Sequence, residues 1–165
     1  ELALAGQQDM IIQPFIAGQE YGIDAYCDLQ TGELIECFAK EKLLMRSGET
    51  DKAISVDSKP ILPILKKLVQ TANLRGPIDV DFFYDQEQWL ISEVNPRFGG
   101  GYPFAQACGM NFPQLIINNI KQQTNQPNLF GYPLDMLLMK YPEVVMLPQA
   151  EVLTHQKIMD VFHAS

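Results

Sequence analysis

Residues 78–84 and 88–94 are strand-like runs separated by the polar turn Asp85-Gln86-Glu87, a pattern that leaves little room for anything but a β-hairpin. Side chains two apart on a strand share a face, so Asp79 and Asp81 lie together on the first strand, as do Glu93 and Asn95 at the exit of the second.

The remaining punctuation predicts short segments around this hairpin. Residues 10–16 form an apolar stretch that ends in the turn signal Ala17-Gly18-Gln19. Residues 21–28 then alternate like a strand, Thr31-Gly32 turns the chain, and residues 33–42 return, so the first 45 residues read as an antiparallel meander. Beyond Asp57-Ser58 the period changes: Ile61, Leu65, Leu68 and Ala72 fall at helical spacing, with Pro60 near the first turn and Gly76-Pro77 as the stop. Asn111, Pro113 and the run Leu115, Ile116, Ile117 and Ile120 predict a second, capped helix. A last strand over residues 136–147, interrupted at Pro142, and a helix over 151–162 complete the expectation. The class is α+β, a mostly antiparallel mixed sheet packed by helices in a single domain, 1–165.

Charge and composition narrow the partners. With 20 acidic residues against 12 basic ones the net charge is −8, which opposes binding to a phosphate backbone and argues against nucleic acid. No apolar run approaches the roughly 20 residues that span a bilayer, so no membrane association is expected. Cys27, Cys37 and Cys108 form no CxxC pair and read as packing residues, consistent with a reducing, cytoplasmic setting. The opening Glu1-Leu2-Ala3 begins in mid-pattern, from which the chain is expected to be a piece of a longer protein.

The hairpin's chemistry depends on register. If cross-strand partners sum to 174, Asp81 stands directly opposite Glu93; a sum of 173 pairs Asp81 with Ser92 and sends Glu93 to the far face. Two carboxylates at about 4 Å repel by roughly 4 kcal/mol at an effective dielectric near 20, so such a site requires a shared proton or a cation. Carboxylate and amide oxygens without His or thiolate favour a hard ion such as Mg²⁺, which borrows further ligands from water and phosphates. Arg97, two residues beyond Asn95, is suited to phosphate oxygens through paired hydrogen bonds.

The string Ile91-Ser92-Glu93-Val94-Asn95-Pro96-Arg97-Phe98-Gly99-Gly100-Gly101, with the upstream Asp79-Val80-Asp81-Phe82-Phe83, resembles the metal-binding hairpin of the ATP-grasp superfamily. The likeness is greatest to large-subunit carbamoyl-phosphate-synthetase-type proteins and runs over residues 10–120. It implies that Asp81, Glu93 and Asn95 bind metal, Mg²⁺ or Mn²⁺, with Glu93 bridging two ions, and that Arg97 contacts the transferred phosphate or the substrate. The segment Gln13-Pro14-Phe15-Ile16-Ala17-Gly18-Gln19-Glu20 is similar to the family's hinge strand, which implies adenine contacts at Gln13 and the Phe15 backbone and a ribose contact at Glu20. Lys40, Lys42 and the Arg46-Ser47-Gly48 turn resemble the basic stretch near the phosphates, which places Arg46 on the substrate side.

The resemblance implies the C-terminal subdomain of an ATP-grasp module, with an upstream segment of the same protein completing the nucleotide clamp. The implied reaction is ATP-dependent phosphorylation of a small carboxylate or bicarbonate to an acyl phosphate, which an amine then attacks. Gly99-Gly100-Gly101 is no P-loop, because no GxxxxGK[ST] is present; it suits a sharp turn or a close backbone approach. A metal-dependent phosphohydrolase and a non-catalytic nucleotide-binding or interaction domain are the alternative classes.

Overall fold

The computed structural model describes residues 12–141 together with Val144 and Met146. Six strands and three helices succeed one another in the order β1 (Gln19–Cys27), β2 (Leu34–Arg46), β3 (Glu49–Val56), α1 (Leu62–Ala72), β4 (Gly76–Asp85), β5 (Gln88–Asn95), α2 (Tyr102–Ala107), α3 (Phe112–Ile120) and β6 (Leu137–Met139). The strands make one sheet ordered β5-β4-β1-β2-β3-β6. Every ladder in it is antiparallel, and parallel pairing among the described residues is confined to the isolated bridge Glu36–Asn128. The expected α+β architecture is what the chain adopts.

Alternation along the strands sorts side chains between two cores. On one face Ile23, Ala25, Cys37, Ala39, Ile78, Val80 and Phe82 pack against Ile61, Leu62, Leu65 and Val69 of and before α1. On the other face Tyr26, Phe38 and Ala53 pack under Phe104, Phe112 and Tyr132. This second core covers only part of its face. Where it stops, polar side chains take over.

Local chemistry accounts for the element ends. Helix α1 carries Pro63 in its first turn, where a missing N–H costs nothing, and closes on Asn73 in the left-handed region, φ 51°. Its buried stripe is Leu62, Leu65 and Val69, while Leu68 is half-buried and Ala72 exposed, so the helix is rotated from the expected face. Helix α3 begins as anticipated, the Asn111 side chain accepting from the Gln114 N–H at 3.1 Å. Its buried residues are Phe112 and Asn119, whereas Ile120 is exposed. Asn119 is a hub, accepting from the Tyr26 hydroxyl at 2.6 Å and donating to Asp28 at 2.7 Å.

The structure departs from the sequence reading at four places. Strand β3, reached through Ser47 and Gly48 at positive φ, and the short helix α2 were not anticipated. The described part of the apolar stretch, residues 12–16, lies outside every strand; β1 starts only at Gln19. Of the last strand expected over 136–147, the described residues show Leu137–Met139 as strand, and the helix expected over 151–162 lies outside the described residues. All three cysteines are buried and free, as expected. Among the described residues no helix is long and apolar enough to cross a membrane.

Candidate functional site

The β4–β5 hairpin uses both registers. Asp79 pairs with Asn95 and Asp81 with Glu93, and a bulge at Ser92 then shifts the ladder so that Phe82 meets Ile91 and Tyr84 meets Trp89. Asp81, Glu93, Asp79 and Asn95 therefore share one face, because directly opposed residues project to the same side of a sheet. The turn that closes the hairpin places both Gln86 and Glu87 at positive φ, 46° and 62°, the geometry of a type I′ turn.

Strand β1 lies next to β4 and brings its own residues to that face. Gly22 is paired with Asp81 on one side and Lys40 on the other, and Asp24 is paired with Asp79. Lys40 is buried and ion-paired with Asp24 Oδ2, while Asp24 Oδ1 has no hydrogen-bond partner among the described residues. The Lys42 ammonium bridges two carboxylates, Glu20 Oε1 at 2.7 Å and Asp81 Oδ1 at 2.8 Å. Gly22 makes room for both lysines: a Cβ there would lie 3.1 Å from Lys40 Cε and 3.2 Å from Lys42 Cε.

The chain leaving β5 folds over these groups. Arg97 Nη1 stands 3.5 Å from Asp79 Oδ2 with its side chain mostly in solvent. A Cβ at Gly99 would sit 2.5 Å from Asp79 Cγ, and one at Gly101 would sit 2.5 Å from Lys40 Cε. Neither glycine has positive φ, so the need is for close approach and not for a tight turn. Together these residues wall a cleft of about 460 Å³ whose floor is the sheet and whose rim includes Glu49, Thr50 and Met45.

Burial pushes the Asp79 carboxyl up to about 6; the charge of Asp24 adds to this, Lys40 opposes it, Asp81 raises it further and Lys42 lowers it. For Lys42, burial acts to lower the value, but the hydrogen bonds and charges of Asp81 and Glu20 outweigh it, and the ammonium is held above its usual range. Outside the cleft floor, Lys140 donates to Glu49 at 2.8 Å and holds that carboxyl below its ordinary value.

The structure brings Asp81, Glu93, Asn95 and Arg97 into one cleft and sets Glu20 beside it through Lys42. It places Arg46 elsewhere. That side chain is exposed, 3.7 Å from Asp51, in an adjoining depression shared with Ser47 and Lys140. Gln13 and Phe15 lie exposed in the irregular segment before β1. Sequence reasoning passed over Asp24, Gly22 and Glu49 and gave Asp79 no role; the signal available was the period of two through residues 20, 22 and 24.

Among the described residues no three Asp, Glu, His or Cys side chains converge as a self-sufficient metal site. The donors on this face of the hairpin are three carboxylates, Asp79, Asp81 and Glu93, and the Asn95 amide, with basic groups alongside. That set fits a hard divalent ion only if further oxygens come with the ligand, as phosphates do for Mg²⁺.

Similarity to solved structures gives the class of fold first. N5-carboxyaminoimidazole synthetase from Staphylococcus aureus, one structure of which is complexed with ADP, aligns with a TM-score of 0.53 and 21% identity over 67% of this chain and 31% of that one. The phosphoribosylaminoimidazole carboxylase ATPase subunit from Aquifex aeolicus gives 0.55 and 18% over 68% and 38%. Rhizobium etli pyruvate carboxylase gives 0.58 and 14% over 73% and 13%. The chain thus spans 13% to 38% of the length of these proteins, and the likeness establishes a shared fold. The family model described as ATP-grasp in the biosynthetic pathway with Ter operon matches residues 6–141, and the chain belongs to that ATP-grasp family. No curated protein sequence matches it.

Proposed function

We propose that the cleft is the metal and phosphate half of an ATP site, and that the whole protein uses it to phosphorylate a small carboxylate or bicarbonate for capture by an amine. The observation that carries this reading is the register of the hairpin. Asp81 and Glu93 are direct partners, Asn95 is two residues along on the same face, and Arg97 overhangs them from the loop.

Each residue then has a task that its position supports. Asp81, Glu93 and Asn95 hold Mg²⁺ or Mn²⁺, and the ion, when bound, neutralises phosphate charge and aligns donor with acceptor. Arg97, anchored near Asp79 but free to extend, offers its planar fork to a phosphate or acyl-phosphate oxygen. Glu20 accepts from the ribose hydroxyls, and residues 12–17, which take part in no strand ladder, offer backbone groups at Phe15 and the Gln13 amide to adenine. Arg46 flanks the acceptor side from the neighbouring depression. No side chain acts as a nucleophile; two anions approach because the cationic groups offset their repulsion.

An upstream segment of the same protein supplies the opposite wall of the nucleotide site in this reading, so turnover is a property of the intact protein. Glu93→Gln in that protein removes one anionic ligand while keeping shape and hydrogen-bonding capacity. Expected is loss of Mg-ATP-dependent, acceptor-stimulated ADP release with an unchanged circular dichroism spectrum and melting temperature. Near-normal turnover would refute the ligand role of Glu93, and ADP release indifferent to any amine acceptor would favour a hydrolase.

A further inference from the structure

Lys42 joins two groups that the proposed function assigns to different ligands. Its ammonium touches Glu20, given to the ribose, and Asp81, given to the metal, at 2.7 and 2.8 Å. The side chain is only 6% exposed, is accommodated by the absence of a Cβ at Gly22, and its own carbonyl is held by the Gln19 amide at 3.0 Å. An ammonium with three donors and little access to water needs these partners. Any divalent ion that takes Asp81 Oδ1 competes with it directly.

Resting on that reading, we propose that Lys42 couples the two ligands: it guards Asp81 against metal alone and releases it when nucleotide phosphates offer the ammonium a replacement partner. The physical reason is that leaving a nearly buried ammonium half-paired is costly, whereas exchanging one carboxylate for a phosphate oxygen is close to neutral. Metal and nucleotide then bind with positive cooperativity, and the coupling is reciprocal. Glu20 takes part through the same ammonium. When Glu20 is a carboxylate it draws Lys42 away from Asp81; when it is an amide, Lys42 is given more fully to Asp81.

The test is Mn²⁺ binding to the intact protein, followed by electron paramagnetic resonance of the free ion, with and without ADP. Lys42→Met is expected to bind Mn²⁺ alone roughly tenfold more tightly than wild type, the scale of one charge-assisted hydrogen bond. With ADP present the order reverses, because the variant has lost a phosphate partner. Glu20→Gln is expected to weaken Mn²⁺ binding, and to lose that effect in the Lys42→Met background, since Glu20 acts through the shared ammonium. Unchanged or weaker Mn²⁺ binding in folded Lys42→Met overturns the coupling. Should that variant not fold, Glu20→Gln alone decides: unchanged Mn²⁺ affinity overturns it. Glu93→Gln separates the levels. If it abolishes Mn²⁺ binding while Lys42→Met changes nothing, only the Lys42 proposal falls; if it leaves Mn²⁺ binding intact, the hairpin metal site falls and takes the proposal with it.

Discussion

Asp79 gives the site a pH signature whose sign is fixed by the structure. Its carboxyl is pushed up from 3.8 to about 6 by burial, with Asp24 and Asp81 raising it and Lys40 and Lys42 opposing them. The Arg97 guanidinium at 3.5 Å is too solvated to reverse that. The folded state therefore binds this proton more tightly than the unfolded chain does. Stability from this group is greatest below the unfolded value and is lost as pH rises through about 6. Asp79→Asn stays neutral throughout and keeps the shape. Relative to wild type the variant should gain stability by about 2 kcal/mol between pH 4.5 and pH 7.5, from the linkage integral over a shift of roughly two units. Urea denaturation of both proteins at the two pH values reads this directly, and the difference between variants cancels titrations common to both. A stability difference that is flat, or that shrinks as pH rises, would refute the buried, proton-holding Asp79.

Three further outcomes test the scaffold. Lys40→Met leaves the Asp24 carboxylate buried without its cation and should cost about 3–5 kcal/mol in urea denaturation, with most of the loss recovered by adding Asp24→Asn; a loss below about 1 kcal/mol would contradict the buried pair. Gln86→Asn combined with Glu87→Gly replaces two side chains held at positive φ by residues suited to it, and should raise stability by about 1 kcal/mol, seen as a higher melting temperature. Gly99→Ala forces a Cβ to within 2.5 Å of Asp79 Cγ. It should cost about 1–3 kcal/mol and depress turnover of the intact protein, and a silent substitution would show that the loop does not rest on Asp79.

Much of the hairpin was legible because its signals are local. The acid and apolar residues alternate along Gly76–Asp85, the polar turn sits where Gln86 and Glu87 reverse the chain, and the Asn111 cap precedes its helix by one residue. The choice of register was not legible. Both offsets occur, separated by the bulge at Ser92, and the facing strand at that point carries Val80 and Phe82 into the core beneath α1, a long-range contact that no local pattern encodes. Strand β3 is hard to read from the sequence because Thr50, Asp51, Lys52 and Ser55 interrupt its apolar pattern, although Ala53 packs into one core and Val56 against the other.

Sequence alone determined the chemistry on offer: oxygen donors at 81, 93 and 95, a guanidinium at 97, and ammonium groups at 40 and 42, each on a strand or beside one. Those assignments need only the two-residue period of an extended chain. Tertiary structure decided which of them meet. Strand β1 lies between β4 and β2, so Glu20, Gly22 and Asp24 stand between the hairpin and the lysines, and Arg46 falls outside the cleft. Strand order is settled by which faces bury against α1 and which against α2 and α3, a balance of contacts distant in sequence that no local pattern encodes.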